Sequence, residues 1–216
     1  MIVDRRVLWV AATNTWVLAP GRSGPCLVVD APPDPKGIGT LLADHDLWPE
    51  ALLLTHGHVD HMGGSGALAV LHPTMTTFVH PADDFLTRHP ADQLRGLFGM
   101  VPPGSFEAPT ERHELVHGQV LEVAGLSVEV RHTPGHTPGH CVFLFTDEGI
   151  LCSGDQLFAG SIGRTDLPGG SLPQLAASMA NEVMSLDDDV RVLTGHGPET
   201  TIGRERRTNP FRDLWT

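Results

Sequence analysis

The chain has no long apolar run and few basic residues, and each shortage excludes a class of protein. No apolar run approaches the roughly 18 residues that a membrane-spanning helix needs, and the first residues are too mixed for a signal peptide. We therefore expect a cytoplasmic protein that does not enter a membrane. With 14 Lys and Arg against 26 Asp and Glu, the net charge of −12 argues against a surface built for nucleic-acid phosphates.

Cysteine is also scarce. Cys26, Cys141 and Cys152 are widely spaced, and each lies in an apolar, strand-like context. We expect buried thiols and no disulfide framework, and this burial makes Cys152 a poor candidate nucleophile. The 216 residues, of which 40% are hydrophobic, suffice for one globular domain over residues 1–216.

Four groups that can bind a transition metal lie within six residues of each other: His56, His58, Asp60 and His61. They directly follow the apolar run 51–54, which predicts a buried strand that ends where the histidines begin. Neutral imidazoles and a carboxylate suit zinc, iron or manganese. The alternative is a polar loop that merely contains three histidines.

The same arrangement recurs downstream. His136 follows the alternating pattern 126–131, Asp155 ends the apolar run 150–154, and His196 ends the run 190–195. Each is a predicted strand followed by a ligand type beside a glycine, which favours one shared metal site. Short strand patterns alternate with helical ones, so the fold class is α/β. The clearest predicted helix spans 172–186, with Ser171 and Gln174 as a capping box.

The segment 86–112 differs from the rest of the chain because prolines and glycines break any long periodicity. We expect an irregular excursion, with part of it bordering the site as a lid. Phe98, Met100, Val101 and Phe106 would give it an apolar inner face, and Phe98 and Phe106 are candidate substrate contacts. The alternative is a loop that only packs on the core.

These motifs resemble the metallo-β-lactamase superfamily and, within it, the glyoxalase II (hydroxyacylglutathione hydrolase) group. The resemblance rests on the H-x-H-x-D-H block at 56–61, the T-P-G-H-T at 133–137, the S-G-D ending at Asp155 and the G-H-G-P around His196. It implies an αββα sandwich, with two packed mixed sheets, outer helices and the metals at one edge. We expect no counterpart of the C-terminal helical domain of typical glyoxalase II enzymes, because only about 20 residues follow His196.

The resemblance also implies two divalent metal ions, with zinc favoured and iron or manganese as alternatives. Asp60 is in addition a candidate proton acceptor. The implied ligands are His56, His58 and His136 for one ion, Asp60, His61 and His196 for the other, and Asp155 as the bridge.

Three more residues receive roles from the resemblance. Asp30 is expected to accept a hydrogen bond from a ligand imidazole, although it could simply start a helix before two prolines. His140 is expected to support the ligands or to serve in packing, without binding metal. Arg164 matches the basic residue that contacts the carboxylate of the thiol cofactor, and its alternative is an ion pair with Asp166.

The implied reaction is hydrolysis of an S-2-hydroxyacyl thiol, similar to S-lactoylglutathione, by attack of a metal-bound hydroxide. The chain has no tyrosine, although tyrosines typically line the glutathione site, so another thiol carrier is open. One alternative is a persulfide dioxygenase, with a single iron on His56, His136 and Asp155. A second is a non-catalytic metal-binding module. The partner is a small molecule, and a homodimer is compatible with the sequence.

Overall fold

The computed structural model describes residues 1–215, except for the side chains of residues 95–98. One sheet has six strands in chain order, of which the first three pair antiparallel and the last four pair parallel. Its strands are β1 (Ile2–Leu8), β2 (Thr13–Ala19), β3 (Pro25–Val29), β4 (Trp48–Leu53), β5 (Thr76–Val79) and β6 (His113–Glu114).

The remaining strands are β7 (Val120–Val123), β8 (Leu126–His132), β9 (Cys141–Phe145), β10 (Ile150–Gly154), β11 (Leu157–Phe158), β12 (Ser161–Ile162), β13 (Arg191–Thr194) and β14 (Thr200–Thr201). Six of them form the second sheet, in the order β14-β13-β10-β9-β8-β7, in which only β10 and β13 pair parallel. The two short strands β11 and β12 form a separate hairpin.

Seven α-helices occur in the described residues, together with two short 3₁₀ turns, Pro81–Asp83 and Arg212–Leu214. None of these helices has the length and hydropathy that crossing a bilayer requires. The helices are α1 (Pro35–Asp44), α2 (Val59–Met62), α3 (Ser65–Leu71), α4 (Asp84–Thr87), α5 (Pro90–Phe98), α6 (Leu172–Ser178) and α7 (Ile202–Thr208).

The two sheets pack face to face, because alternate residues of each strand point to opposite sides. In β3, Leu27 and Val29 join the cluster between the sheets, where Phe143 of β9 also lies. Val28 faces the other way and packs with Ile38 of α1. On the far side of the second sheet, α6 covers its outer face. The predicted αββα sandwich is therefore confirmed.

The sheets meet at one edge, where the ends of four strands carry the polar motifs. Thr13 forms an isolated bridge to His196, and Trp16 donates its indole N–H to the Thr194 carbonyl. The parallel pairs β3–β4 and β10–β13 bring their carboxyl ends to this edge. As a result, the residues after these strands lie close together.

The helix predicted over 172–186 is shorter than expected. α6 ends at Ser178 and continues as a π-helical turn, Met179–Val183. The predicted capping box is wrong, since the Ser171 side chain caps nothing. Pro173 follows in the first turn and has no N–H, which removes one of the two donors that an N-cap side chain can reach. The three cysteines are free and buried, as predicted.

Candidate metal centre

The first ligand loop starts where β4 ends. Thr55 is fixed by its backbone N–H, which donates to Asp30 Oδ1 at 2.8 Å, and by its carbonyl, which accepts from Cys141 N–H at 2.7 Å. The chain then runs through His56 and His58 into the single-turn helix α2. Because Thr55 is held at both its N–H and its carbonyl, the loop begins at a fixed point and its imidazoles project toward the edge where the sheets meet.

Three imidazoles form the first group. His136 Nε2 lies 3.2 Å from His56 Nε2 and 2.9 Å from His58 Nδ1. Asp155 Oδ2 is 3.5 Å from His136 Nε2. Ligands about 2.1 Å from one tetrahedral metal are separated by about 3.4 Å. The separations of 3.2 and 3.5 Å are close to this value, and the 2.9 Å separation is shorter, so the atoms are grouped closely enough to surround a shared cation.

A second group stands beside the first. His61 Nε2 lies 3.2 Å from His196 Nε2 and 3.4 Å from Asp60 Oδ2. His196 Nε2 is 3.2 Å from the same Asp60 oxygen. Asp155 joins this group too, with Oδ1 3.3 Å from His61 Nε2 and Oδ2 3.6 Å from His196 Nε2. Asp155 thus lies between the two groups, each of which could hold a metal ion.

Hydrogen bonds on the far side of the rings fix the tautomers of His61 and His56. His61 Nδ1–H donates to Asp30 Oδ2 at 2.8 Å. Thr55 Oγ1 donates its proton to the same carboxylate and so accepts from His56 Nδ1–H at 3.0 Å. In its neutral form, each ring therefore presents a bare Nε2 lone pair to the centre.

His136 and His196 are fixed in the same way. His136 Nδ1–H donates to the Arg164 carbonyl at 2.7 Å, and His196 Nδ1–H donates to the Ala12 carbonyl at 3.3 Å. Their Nε2 atoms are then acceptors. His136 Nε2 faces His56 Nε2, and His196 Nε2 faces His61 Nε2, each at 3.2 Å. Such pairs repel unless a proton or a metal ion lies between them, so the donor set fits divalent cations.

Burial and charge support the same conclusion. Burial and the neighbouring imidazoles lower the pKa of His58 to about 3, and burial lowers the pKa of His136 to about 4. These rings are neutral at pH 7 and can bind metal. Asp155 Oδ1 and His58 Nε2 are buried without a hydrogen-bond partner in the described part of the chain. Orphaned acceptors such as Asp155 Oδ1 are costly unless an ion binds them.

The second group attracts positive charge more strongly. Burial lowers the pKa of His61, but the carboxylates of Asp155, Asp60 and Asp30 outweigh burial and raise it to about 10. Burial raises the pKa of Asp60, whereas His61 and His196 hold it well below its usual range. A cluster that retains a proton this tightly provides a favourable place for a cation.

Asp30 and His140 both lie behind the imidazoles of the two groups. Asp30 has a φ of 63°, which costs a non-glycine residue about 1–2 kcal/mol and is typical of functional positions. His140 donates Nδ1–H to Thr133 Oγ1 at 2.9 Å and accepts the Asp155 backbone N–H at 3.1 Å. His140 therefore holds the backbone of Asp155 and offers no nitrogen to the centre.

A cleft of about 460 Å³ opens over both groups. Arg164 borders it, but its side chain forms a bidentate ion pair with exposed Asp166 at 2.7 and 2.8 Å. The ion pair is the alternative that the sequence left open for Arg164. The walls are mainly apolar and are formed by Trp9, Ala11, Val59, Phe158, Ile162 and Leu167.

The segment 86–112 is more regular than predicted. Pro90 begins helix α5, and a proline is compatible with the first turn because its missing N–H has no partner within the helix there. Met100 and Val101 are exposed, so the prediction that they form an apolar inner face is wrong. Phe106 packs edge-on against Trp9 at 5.9 Å, beside the cleft. The side chain of Phe98 lies outside the described residues.

Two residues at the cleft were missed from the sequence. Trp9 follows β1 and donates its indole N–H to the Pro103 carbonyl at 2.9 Å. Gln93 of α5 accepts from Val59 N–H at 3.1 Å and donates to the Gly57 carbonyl at 2.9 Å. Gln93 thus attaches α5 to the first ligand loop. Only the position of Trp9 at the turn after the first strand pattern could have indicated its role.

Comparisons with known proteins agree with this architecture. A family profile described as the metallo-beta-lactamase superfamily matches residues 8–196. The chain is 33% identical over 205 residues to the hydroxyacylglutathione hydrolase GloC of Haemophilus influenzae, covering 95% of this chain and 90% of that protein.

Two solved structures resemble the chain over nearly its whole length. The B3 metallo-beta-lactamase BLEG-1 has a TM-score of 0.89 and 34% identity, covering 98% of this chain and 99% of that one. The protein TTHA1623 in a di-iron-bound form has a TM-score of 0.86 and 35% identity, covering 97% and 100%. The αββα sandwich, the two His/Asp groups at its edge and these matches lead to one conclusion. The chain belongs to the metallo-beta-lactamase superfamily, whose members are mostly metal-dependent hydrolases.

Proposed function

We propose that the protein is a dinuclear metal-dependent thioester hydrolase of glyoxalase II type, acting on S-2-hydroxyacyl thiols. The observation that carries the proposal is the position of Asp155, whose oxygens lie 3.3 Å from His61 Nε2 and 3.5 Å from His136 Nε2. A carboxylate between two complete ligand groups is suited to hold two cations at short range. The 33% identity to a hydroxyacylglutathione hydrolase supports the choice of substrate.

Residues of this chain would hold the metal ions and orient the groups that take part in the reaction. Two divalent ions in this site would polarise the thioester carbonyl and lower the pKa of a bound water toward 7. Asp60 and Asp155 offset only part of that positive charge, so the centre keeps an attraction for a carbonyl oxygen. Thr13 Oγ1 donates to Asp60 Oδ2 at 3.1 Å and orients this carboxylate. Asp60 is also a candidate proton acceptor.

The cleft supports a substrate with an apolar portion. Trp9, Phe158 and Leu167 form walls that would pack against an acyl chain or the stem of a thiol. We propose that Arg164 binds a carboxylate of the thiol by exchanging it for Asp166. Both members of this pair are mostly exposed, at 57% and 68%, and exposed pairs are weak. The exchange is therefore inexpensive.

Zinc is the metal we propose, because imidazole-rich hydrolytic sites favour it. The di-iron form of a protein 35% identical to this chain supports iron as the alternative. Metal content measured on the sample used for kinetics decides between them.

A substrate panel tests the proposal. S-Lactoylglutathione, acyl thioesters of thiols without carboxylates and a β-lactam are incubated with purified protein, and thiol release or ring opening is followed. We expect thioester hydrolysis that is lost on chelation. Hydrolysis of the β-lactam alone would overturn the thioesterase assignment, and no turnover at full metal loading would favour a binding module.

Persulfide oxidation at a single iron is the second candidate. The G-R-T-D at 163–166 favours it, since persulfide dioxygenases share this motif. The complete second group of Asp60, His61 and His196 favours the hydrolase. Oxygen consumption with glutathione persulfide distinguishes the two, and the proposed hydrolase consumes none.

A further inference from the structure

Asp83 is a buried carboxylate that neither ligand group includes. Its residue is 0% exposed, and it ends the 3₁₀ turn before α4. It accepts three hydrogen bonds: from Gly57 N–H at 2.7 Å and Thr137 Oγ1–H at 2.7 Å on Oδ2, and from Gly139 N–H at 2.6 Å on Oδ1.

These three donors come from the two loops that carry the first ligand group. Gly57 lies between His56 and His58, whereas Thr137 directly follows His136. His56 and His136 are separated by 80 residues in the chain, yet their Nε2 atoms lie 3.2 Å apart. The Asp83 carboxylate connects the loops directly through its side-chain oxygens.

Close approach of Asp83 explains two glycines of the sequence motifs. A Cβ at Gly57 would lie 3.0 Å from Asp83 Cβ and 2.9 Å from Leu86 Cβ. A Cβ at Gly139 would lie 2.7 Å from Asp83 Cγ and 2.8 Å from Oδ1. Carbon atoms do not approach this closely without displacement, so any larger residue would push the carboxylate out of the gap.

We propose that Asp83 is a positioning residue, which holds the two loops at the separation that the His56, His58 and His136 group needs to bind its ion. The inference rests on the proposed metal centre. Asp83 belongs to neither ligand group and does not line the cleft, so it acts through the two loop backbones and the Thr137 hydroxyl.

The position fits a carboxylate better than a neutral side chain. Its oxygens receive three donors, and a carboxylate is an acceptor at both oxygens. Burial raises the pKa of Asp83, and the hydrogen bonds from Thr137, Gly57 and Gly139 offset only part of that rise. An amide has one acceptor oxygen and would turn its NH₂ group toward at least one of these donors.

Asp83→Asn tests the proposal through metal affinity. Apoprotein is titrated with Zn²⁺ in competition with a chromophoric chelator, and the Co²⁺ absorption spectrum reports the geometry of the ligands. We expect Zn²⁺ affinity to fall about 10–100-fold, the usual effect of losing a group that orients metal ligands, and the Co²⁺ spectrum to change.

Glu205→Gln is the matched control. Glu205 is also 0% exposed, and it accepts from Gly160 N–H and from Asn209 Nδ2, each at 2.8 Å. It touches neither ligand loop, so this variant loses a comparable buried network and should keep its Zn²⁺ affinity. A similar drop in affinity in both variants would overturn the positioning role.

Thr137→Val is the milder variant if Asp83→Asn does not fold. It removes one donor to Asp83 at nearly constant shape, and we expect a smaller fall in affinity in the same direction. Unchanged Zn²⁺ affinity in the folded variants would overturn the inference while leaving the metal centre intact. Absence of Zn²⁺ binding by the unmodified protein would instead overturn the proposed function.

Discussion

Asp30→Asn should selectively weaken the binding of one of the two metal ions. In the unmodified protein, His61 Nδ1–H donates to Asp30 Oδ2, and Thr55 donates to both oxygens of this carboxylate. The remaining oxygen of the variant can keep the Thr55 bonds, but its NH₂ group then faces His61 Nδ1. This contact favours the His61 tautomer with a proton on Nε2, the nitrogen that has to bind metal.

The size of the effect follows from that single hydrogen bond. It is buried, 2.8 Å long and made to a carboxylate, and bonds to charged groups contribute about 1.5–3 kcal/mol. Since about 1.4 kcal/mol is a factor of ten in a binding constant, affinity at the Asp60, His61 and His196 group should fall about 10–100-fold. The group containing His56 should change little.

Metal content after dialysis against graded Zn²⁺ measures this difference. We expect the variant to retain one ion per chain at concentrations where the unmodified protein holds two. Asp34→Asn is the control, because Asp34 caps α1 through Gly37 N–H and contacts no ligand. If Asp30→Asn held both ions as tightly as this control, the role assigned to Asp30 would be wrong.

Three further changes have distinct outcomes. Asp155→Ala should lose one or both metals and nearly all activity, because cations without a shared carboxylate repel each other; two retained metals with normal turnover would contradict this. Arg164→Ala should raise KM for glutathione thioesters with little change in kcat. An equal rise in KM for thioesters of thiols without carboxylates would show that Arg164 serves only in its ion pair with Asp166. Burial and the neighbouring His132 lower the pKa of His80 from 6.5 to about 4, so the unfolded chain binds a proton that the folded chain does not between these values. The free energy of unfolding should therefore fall as pH drops from 6.5 toward 4. Urea unfolding at pH 7 and at pH 5 measures this change, and the fall in the free energy of unfolding should be smaller for His80→Asn than for the exposed control His89→Asn.

The ligand loops were predictable because their signals are local. Each apolar run ends at a glycine-punctuated turn, and a strand end in a parallel sheet points its following residues to one edge. For this reason His56, Asp155 and His196 could be placed together before any coordinates. Their assignment to particular ions came from the resemblance to a known family and not from spacing.

Asp83 and Gln93 were not predictable, since their roles come from contacts between distant segments. Asp83 is one of several acidic residues in a polar stretch, and only the fold brings it between Gly57 and Gly139. Gln93 lies in α5, and the prolines and glycines of the segment 86–112 hid the helical periodicity of α5 in the sequence. Periodicity and turn signals in a sequence report local structure, whereas the side chains of Asp83 and Gln93 form contacts between segments that are distant along the chain.

Titration of metal-free protein with Zn²⁺, with S-lactoylglutathione hydrolysis followed at each step, tests the dinuclear thioesterase most directly. The structure predicts that activity rises until two ions per chain are bound and then stays constant, because Asp155 lies between two complete ligand groups. Full activity at one ion per chain, or oxygen uptake with an iron-loaded sample and a persulfide substrate, would contradict it.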